Sequence, residues 1–288
     1  MKMKYLLLLY FLFAISPVYA ASATVEVVQS PAWMTLAGKR VALTPGASLG
    51  ESANRYIGPR AGVVLRLAEG STVKLGEETA FTWRQDATSR EESLLWATLE
   101  VLKGAFRFTT TALGKGQQRD IRARVGTATI GIRGTDVWGK AAPDRDFVVL
   151  IEGEIEITRG AESVSMSRPQ TLFNAPKDQL TDPIAPVEAS ALAGWAAETE
   201  PQAGGGIATA DGGWRVSAAH FLHEPHANAL VTVLNSAGYP AVVIPQKADA
   251  NIHHVVALDH YASEADALAT STALQALFPT LKPTVTKP

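Results

Sequence analysis

Trp214-Arg-Val-Ser-Ala-Ala-His-Phe221 and His254-Val-Val-Ala-Leu-Asp-His-Tyr261 decide the architecture of the C-terminal quarter. Each is a strand-like run ending in a His-aromatic pair, and each leads into a helical stretch. The first helix is expected over Glu224 to Ala237. Ala227, Leu230, Val231 and Leu234 fall there at i, i+3, i+4 and i+7, Pro225 sits in the opening turn, and Gly238 is placed to end it. The second is expected over Ser263 to Phe278, with Ser263 as N-cap, Asp266 three residues on, and Ala267, Thr270, Leu274 and Leu277 as its buried stripe. Two further strands, Ala241 to Pro245 and Ile252 to Leu258, lie between the helices, joined by the polar turn Gln246 to Asn251. A last short strand is expected around Leu281 to Val285. The order is β-α-β-β-α-β, an α+β unit of ferredoxin-like or RNP-like type. It predicts a four-stranded sheet with both helices on one face and the other face open as a binding platform.

Upstream, residues 169–211 contain Pro169, Pro176, Pro183, Pro186 and Pro201, then Gly204-Gly205-Gly206, and Gly212-Gly213 follow directly. The alanine-rich run Val187 to Glu198 is expected to form one short helix around Leu192 and Trp195. The composition otherwise predicts a flexible tether between two domains.

Residues 21–168 have strand periodicity. Glu69-Gly70, Lys103-Gly104 and Glu152-Gly153 each separate two runs rich in β-formers, and the glycines supply the positive φ of tight turns. The units read as hairpins of an all-β sandwich or roll. Glu152, Glu154 and Glu156 are read as carboxylates on one exposed strand face. Gln85 to Glu92 reads as a solvated hairpin tip. This half contains no histidine, which excludes His-based acid–base chemistry from it.

The N-terminus opens with Lys2 and Lys4, continues through the apolar run Tyr5 to Ile15, and ends in Pro17-Val-Tyr-Ala20. That is the layout of a cleavable secretory signal over residues 1–20, too short to span a bilayer comfortably. The expectation is a periplasmic protein with no transmembrane helix after cleavage. The formal net charge of -2, from 26 Lys+Arg against 28 Asp+Glu, gives no phosphate-binding surface, so no nucleic-acid partner is expected. Cysteine is absent, which rules out disulfides, thiolate metal sites and cysteine nucleophiles.

Two resemblances follow from these residues. Gly131-Ile-Arg-Gly-Thr135, with Leu67 to Ser71 and Glu152-Gly153, resembles the FecR domain family over about residues 25–165. It implies an exported β-rich module. The signalling role of membrane-spanning members does not carry over, since the expected spanning helix is absent from the sequence pattern. Arg133 is read as propping the turn between two strands by bonding local carbonyls. Trp214-x-Val216, Phe221, the alanine-rich helix, Ala237-Gly-Tyr-Pro240 and the Tyr261-Ala-Ser turn resemble the SPOR domain family over about residues 212–286. That resemblance implies binding to peptidoglycan glycan strands, with a place at the division site.

By the same resemblance Ser217, His220, His254, His260 and Tyr261 are the candidate glycan-binding residues. Ser217, Ala219, His220, Asp259 and His260 stand where the family has other residues. All six histidines lie in this unit, and their spacing matches no catalytic zinc motif, so no metal or other cofactor is expected. No nucleophile or carboxylate pair accompanies them, so the chain is expected not to be an enzyme. The reading is an exported envelope protein of two domains that binds glycan through residues 212–288. The alternative is a regulatory or scaffolding protein whose two domains bind envelope or division proteins without glycan.

Overall fold

The structure is a computed structural model, and it describes residues 23–49, 53–85, 94–111, 118–248 and 251–288. The expected signal segment and most of the tip at 85–92 lie outside the described residues. No helix among them is long and apolar enough to cross a membrane.

Strands β1 (Ala23–Gln29), β2 (Ala32–Leu36), β3 (Lys39–Ala42), β4 (Arg55–Ile57), β5 (Gly62–Leu67), β6 (Thr72–Leu75) and β7 (Ala80–Gln85) open the β-rich part. The 16-residue β8 (Leu94–Thr109) follows, then β9 (Gln118–Val125), β10 (Ala128–Ile132), β11 (Asp136–Ala141), β12 (Arg145–Glu152), β13 (Ile155–Arg159) and β14 (Glu162–Met166). They form two sheets around one apolar core. One sheet carries β1-β5-β6-β8-β11-β12, and the other β3-β2-β4-β7-β8-β9-β10-β13-β14. Phe81, Trp83, Leu99, Phe106, Phe108 and Phe173 are fully buried between them.

The three turn glycines all have positive φ, at 94° for Gly70, 92° for Gly104 and 88° for Gly153. Only Gly70 closes a hairpin, that of β5 and β6. Gly104 lies inside β8, which leaves the second sheet at Lys103 and joins the first from Gly104 onward. A Cβ there would stand 2.3 Å from Thr79 Oγ1 and 2.6 Å from its Cα. Gly153 separates β12 from β13, which belong to different sheets and do not pair. The same turn chemistry therefore serves to fold a hairpin and to carry the chain across the sandwich. It also splits the expected carboxylate row: Glu152 ends β12, Glu154 precedes β13, and only Glu156 lies in the other sheet.

Residues 169–211 depart from the expected tether. β15 (Thr171–Pro176) adds to β12, and β16 (Ala185–Pro186) adds to β15. Helix α1 (Ala189–Ala197) lies on the outer face of the first sheet, where Trp195 stacks on buried Trp138 at 5.5 Å. Lys140–Glu198 and Lys74–Glu200 pin its C-terminal end. Pro176 ends β15 and Pro186 ends the two-residue β16, positions that proline tolerates, and Pro169, Pro183 and Pro201 lie between elements. β17 (Ile207–Thr209) pairs with β1 on one side and, through Ala208, with Tyr261 on the other.

The C-terminal elements are β18 (Trp214–Phe221), α2 (Glu224–Ser236), β19 (Val242–Ala248), β20 (Asn251–Tyr261), α3 (Glu264–Leu277) and β21 (Thr284–Thr286). Pairing gives the antiparallel order β21-β18-β20-β19. Ser263 caps α3 by accepting the Asp266 N–H at 3.2 Å, while Asp266 Oδ1 accepts the N–H of Ile207 at 3.0 Å. Ala227 and Leu234 of α2 and Ala267, Thr270 and Leu274 of α3 are buried, whereas Leu277 is exposed. Gly238 O accepts the Ala32 N–H at 3.0 Å, which seats the end of α2 against the β-rich part.

Candidate functional site, a charged trough and an uncovered sheet face

The register of β9, β10, β13 and β14 puts Arg122, Gly131, Glu156 and Ser165 in one row across the outer face of the second sheet. Gly131 contributes no side chain, and a Cβ added there would meet nothing nearer than Glu156 O at 3.9 Å. The result is a trough of about 530 Å³ running along β10. Its walls differ in charge, one mixed and one acidic. Arg122 stands on the β9 side, 3.4 Å from Asp120, while Glu154 and Glu156 stand on the β13 side. Strands are spaced by roughly 4.8 Å, so walls two strands apart leave about 10 Å, the width of an extended chain. Ser163 donates to Glu156 at 3.0 Å and Ser165 to Glu154 at 3.4 Å, which orients both carboxylates.

Arg133 closes one end of the trough. It is exposed and makes no hydrogen bond or ion pair among the described residues, so the expected bonding to local carbonyls is not its role. The turn it sits in is held instead by Thr135 O, which accepts from Thr110 N and Oγ1, both at 3.0 Å. The row Arg122-Gly131-Glu156 escaped the sequence reading because it exists only through register. The alternation Arg122/Arg124 and Glu154/Glu156 was its visible trace.

On the C-terminal sheet, α2 and α3 cover one face, and no described element covers the other. The candidate residues do not come together there. Ser217 lies opposite Ala257 and His220 opposite Val255, two residues apart on β20, so these two share the uncovered face. Ser217 is 9% exposed, while His220 is exposed. His254 opposes Phe221, which packs into the core beneath α2, so His254 belongs to the helix side. Tyr261 is 2% exposed inside the core, its hydroxyl bonded to Thr270, and burial pushes its pKa up. His260 is exposed, with φ 73°, where a bulge separates the pairs Trp214–Tyr261 and Val216–Leu258. Asp259 forms a bidentate pair with Arg215, its longer contact 3.0 Å. The departures at Asp259 and His260 are thus the ion pair and the bulge, and both come from backbone irregularity that alternation alone does not reveal. His223 and His226 meet edge to face at 5.7 Å. No group of three or more potential metal ligands occurs among the described residues.

The family model described as FecR protein matches residues 57–156, which include β9, β10 and the start of β13. Two solved structures of a protein described as a candidate anti-sigma factor from Parabacteroides distasonis ATCC 8503 are similar to the chain. One is 14% identical over 82% of this chain and 98% of that one, with a TM-score of 0.40. The other is 12% identical over 82% of this chain and 99% of that one, also with a TM-score of 0.40. No curated protein matches the chain.

Proposed function

We propose that this is an exported, non-enzymatic regulatory or scaffolding protein of the cell envelope that works by binding protein partners. The trough on the second sheet is its contact surface. The observation that carries the reading is the FecR protein match over residues 57–156, whose Gly131 to Arg133 segment forms the floor and end of that trough. An acidic wall about 10 Å from the Arg122–Asp120 pair, with Arg133 at one end, suits an extended polypeptide bearing charges of both signs. Export rests on the signal-like residues 1–20, and on that basis the protein works in the periplasm. The test is charge reversal on the trough. Arg122→Glu with Glu156→Lys should abolish partner capture in cells while the protein accumulates normally. Unchanged capture would count against the trough.

A second reading is glycan binding by the C-terminal unit, of ferredoxin-like class by its strand order. It is favoured by the uncovered face that Ser217 and His220 share. Sedimentation with amidase-treated sacculi, lost on His220→Ala together with Ser217→Val, would support it; equal failure with treated and untreated sacculi would remove it.

A further inference from the structure

Between the β-rich part and α3 the chain leaves a cleft of about 580 Å³. Small-molecule sites commonly occupy about 300–1,000 Å³. Helix α3 presents Ala269, Ala273 and Ala276 to it, and the facing wall is made by Pro59, Ala61 and Leu75. The small side chains keep the space open, but space alone specifies nothing.

Tyr239 supplies the second feature. It lines the cleft and is 4% exposed as a whole residue; its hydroxyl makes no hydrogen bond among the described residues and is not one of their fully buried unpaired atoms, so it opens onto the cleft. Arg60 faces the same cleft, and its charge acts on the Tyr239 phenol, opposing the upward push of burial. The guanidinium makes no ion pair among the described residues; only the backbone of Arg60 is engaged. Its N–H donates to Glu77 Oε2 at 2.6 Å, and its carbonyl accepts from Gln29 Nε2 at 2.9 Å. Those bonds fix the turn in which Arg60 has φ 56°. Of the other charges lining the cleft, Glu198 and Glu200 are paired with Lys140 and Lys74, and Glu77 is engaged by the Arg60 N–H. A phenol donor and a guanidinium are left over beside an aliphatic wall.

We propose that this cleft binds a small amphipathic carboxylate, its head held by the Arg60 guanidinium and the Tyr239 hydroxyl and its aliphatic body lying on the alanine face of α3. Both parts of the chain would hold such a ligand, so it would fasten them together and raise their common melting temperature. The proposal does not depend on the trough.

Octanoate is the probe, titrated calorimetrically into the purified full-length protein, with octanol and octylamine as controls of the same body. Octanoate should bind at one saturable site, at least about tenfold more tightly than either control, because hydrogen bonds to a charged head are worth that much. Tyr239→Phe and Arg60→Gln should each weaken it by about tenfold, and Ala273→Leu should remove binding by filling the cleft. Circular dichroism and melting of each variant check the fold. Tyr239→Phe deletes only an unpartnered hydroxyl, so it decides the matter should Ala273→Leu not fold. Absence of saturable octanoate binding, equal binding of octanol or octylamine, or unchanged affinity in Tyr239→Phe would overturn the proposal.

Discussion

Ala208 stands opposite Tyr261 on one side and opposite Val28 on the other, so a three-residue strand joins the first sheet of the sandwich to the C-terminal sheet. Asp266, whose N–H is held by the Ser263 cap of α3, also accepts the N–H of Gly206 and Ile207. The two parts should therefore unfold in a single transition. Ala208→Pro places proline in a strand paired on both sides and should cost at least about 2 kcal/mol. Calorimetry should then resolve two transitions where the parent has one.

The sheet crossing at Gly104 gives a sharper comparison. Gly104→Ala combines positive φ with a Cβ 2.3 Å from Thr79 Oγ1 and 2.6 Å from its backbone. It should destabilise the protein by about 3 kcal/mol or more. Gly134→Ala has the same backbone sign, with φ 88°, but nothing within 4 Å. It should cost only about 1–2 kcal/mol. Urea melts of the two variants measure the difference.

Helix α1 has no fully buried residue, and its attachment depends on the Trp195–Trp138 stack and two exposed-to-intermediate ion pairs. Trp195→Ala should cost about 2 kcal/mol, with the near-ultraviolet signal of Trp138 altered. Lys140→Ala should change stability by less than about 1 kcal/mol, because such pairs are screened by solvent.

Tyr261 provides a pH test. Burial raises its pKa in the folded state above the ordinary tyrosine value. Its contribution is fully present below about pH 10, where the unfolded phenol ionises, and is lost as pH rises toward the folded value. Tyr261→Phe should flatten the decline in stability above pH 10. Tyr261→Ala should cost about 3–5 kcal/mol, as for a core aromatic. A surface sugar-binding tyrosine would tolerate both changes.

Much of this architecture was legible because it is local. The helix stripes, the Ser263 cap and the positive φ at Gly70, Gly104 and Gly153 are dictated by residues within one turn of each other. What a Lys-Gly or Glu-Gly pair does next is decided far away: Gly104 crosses between sheets because Thr79 packs against it, and Gly153 because Gly134 and Thr135 do. Residues 169–211 look like a tether because prolines and glycines dominate the composition. Their order comes from β12, from Trp138 and from Asp266, none of which is near in sequence. The candidate face suffered most. The bulge beside Trp214 turns Tyr261 inward against simple alternation, and the one after Ser217 puts Ser217 and His220 on one face, while His254 turns inward in step with Val256 and Leu258.

The protein-binding account is tested most directly by a photoreactive amino acid placed at Ser165, on the exposed rim of the trough, in cells expressing the full chain. Irradiation should give a discrete protein adduct that survives lysozyme treatment and disappears when Arg122→Glu and Glu156→Lys are combined. No adduct, an adduct dissolved by lysozyme, or an adduct indifferent to those two charges would contradict it.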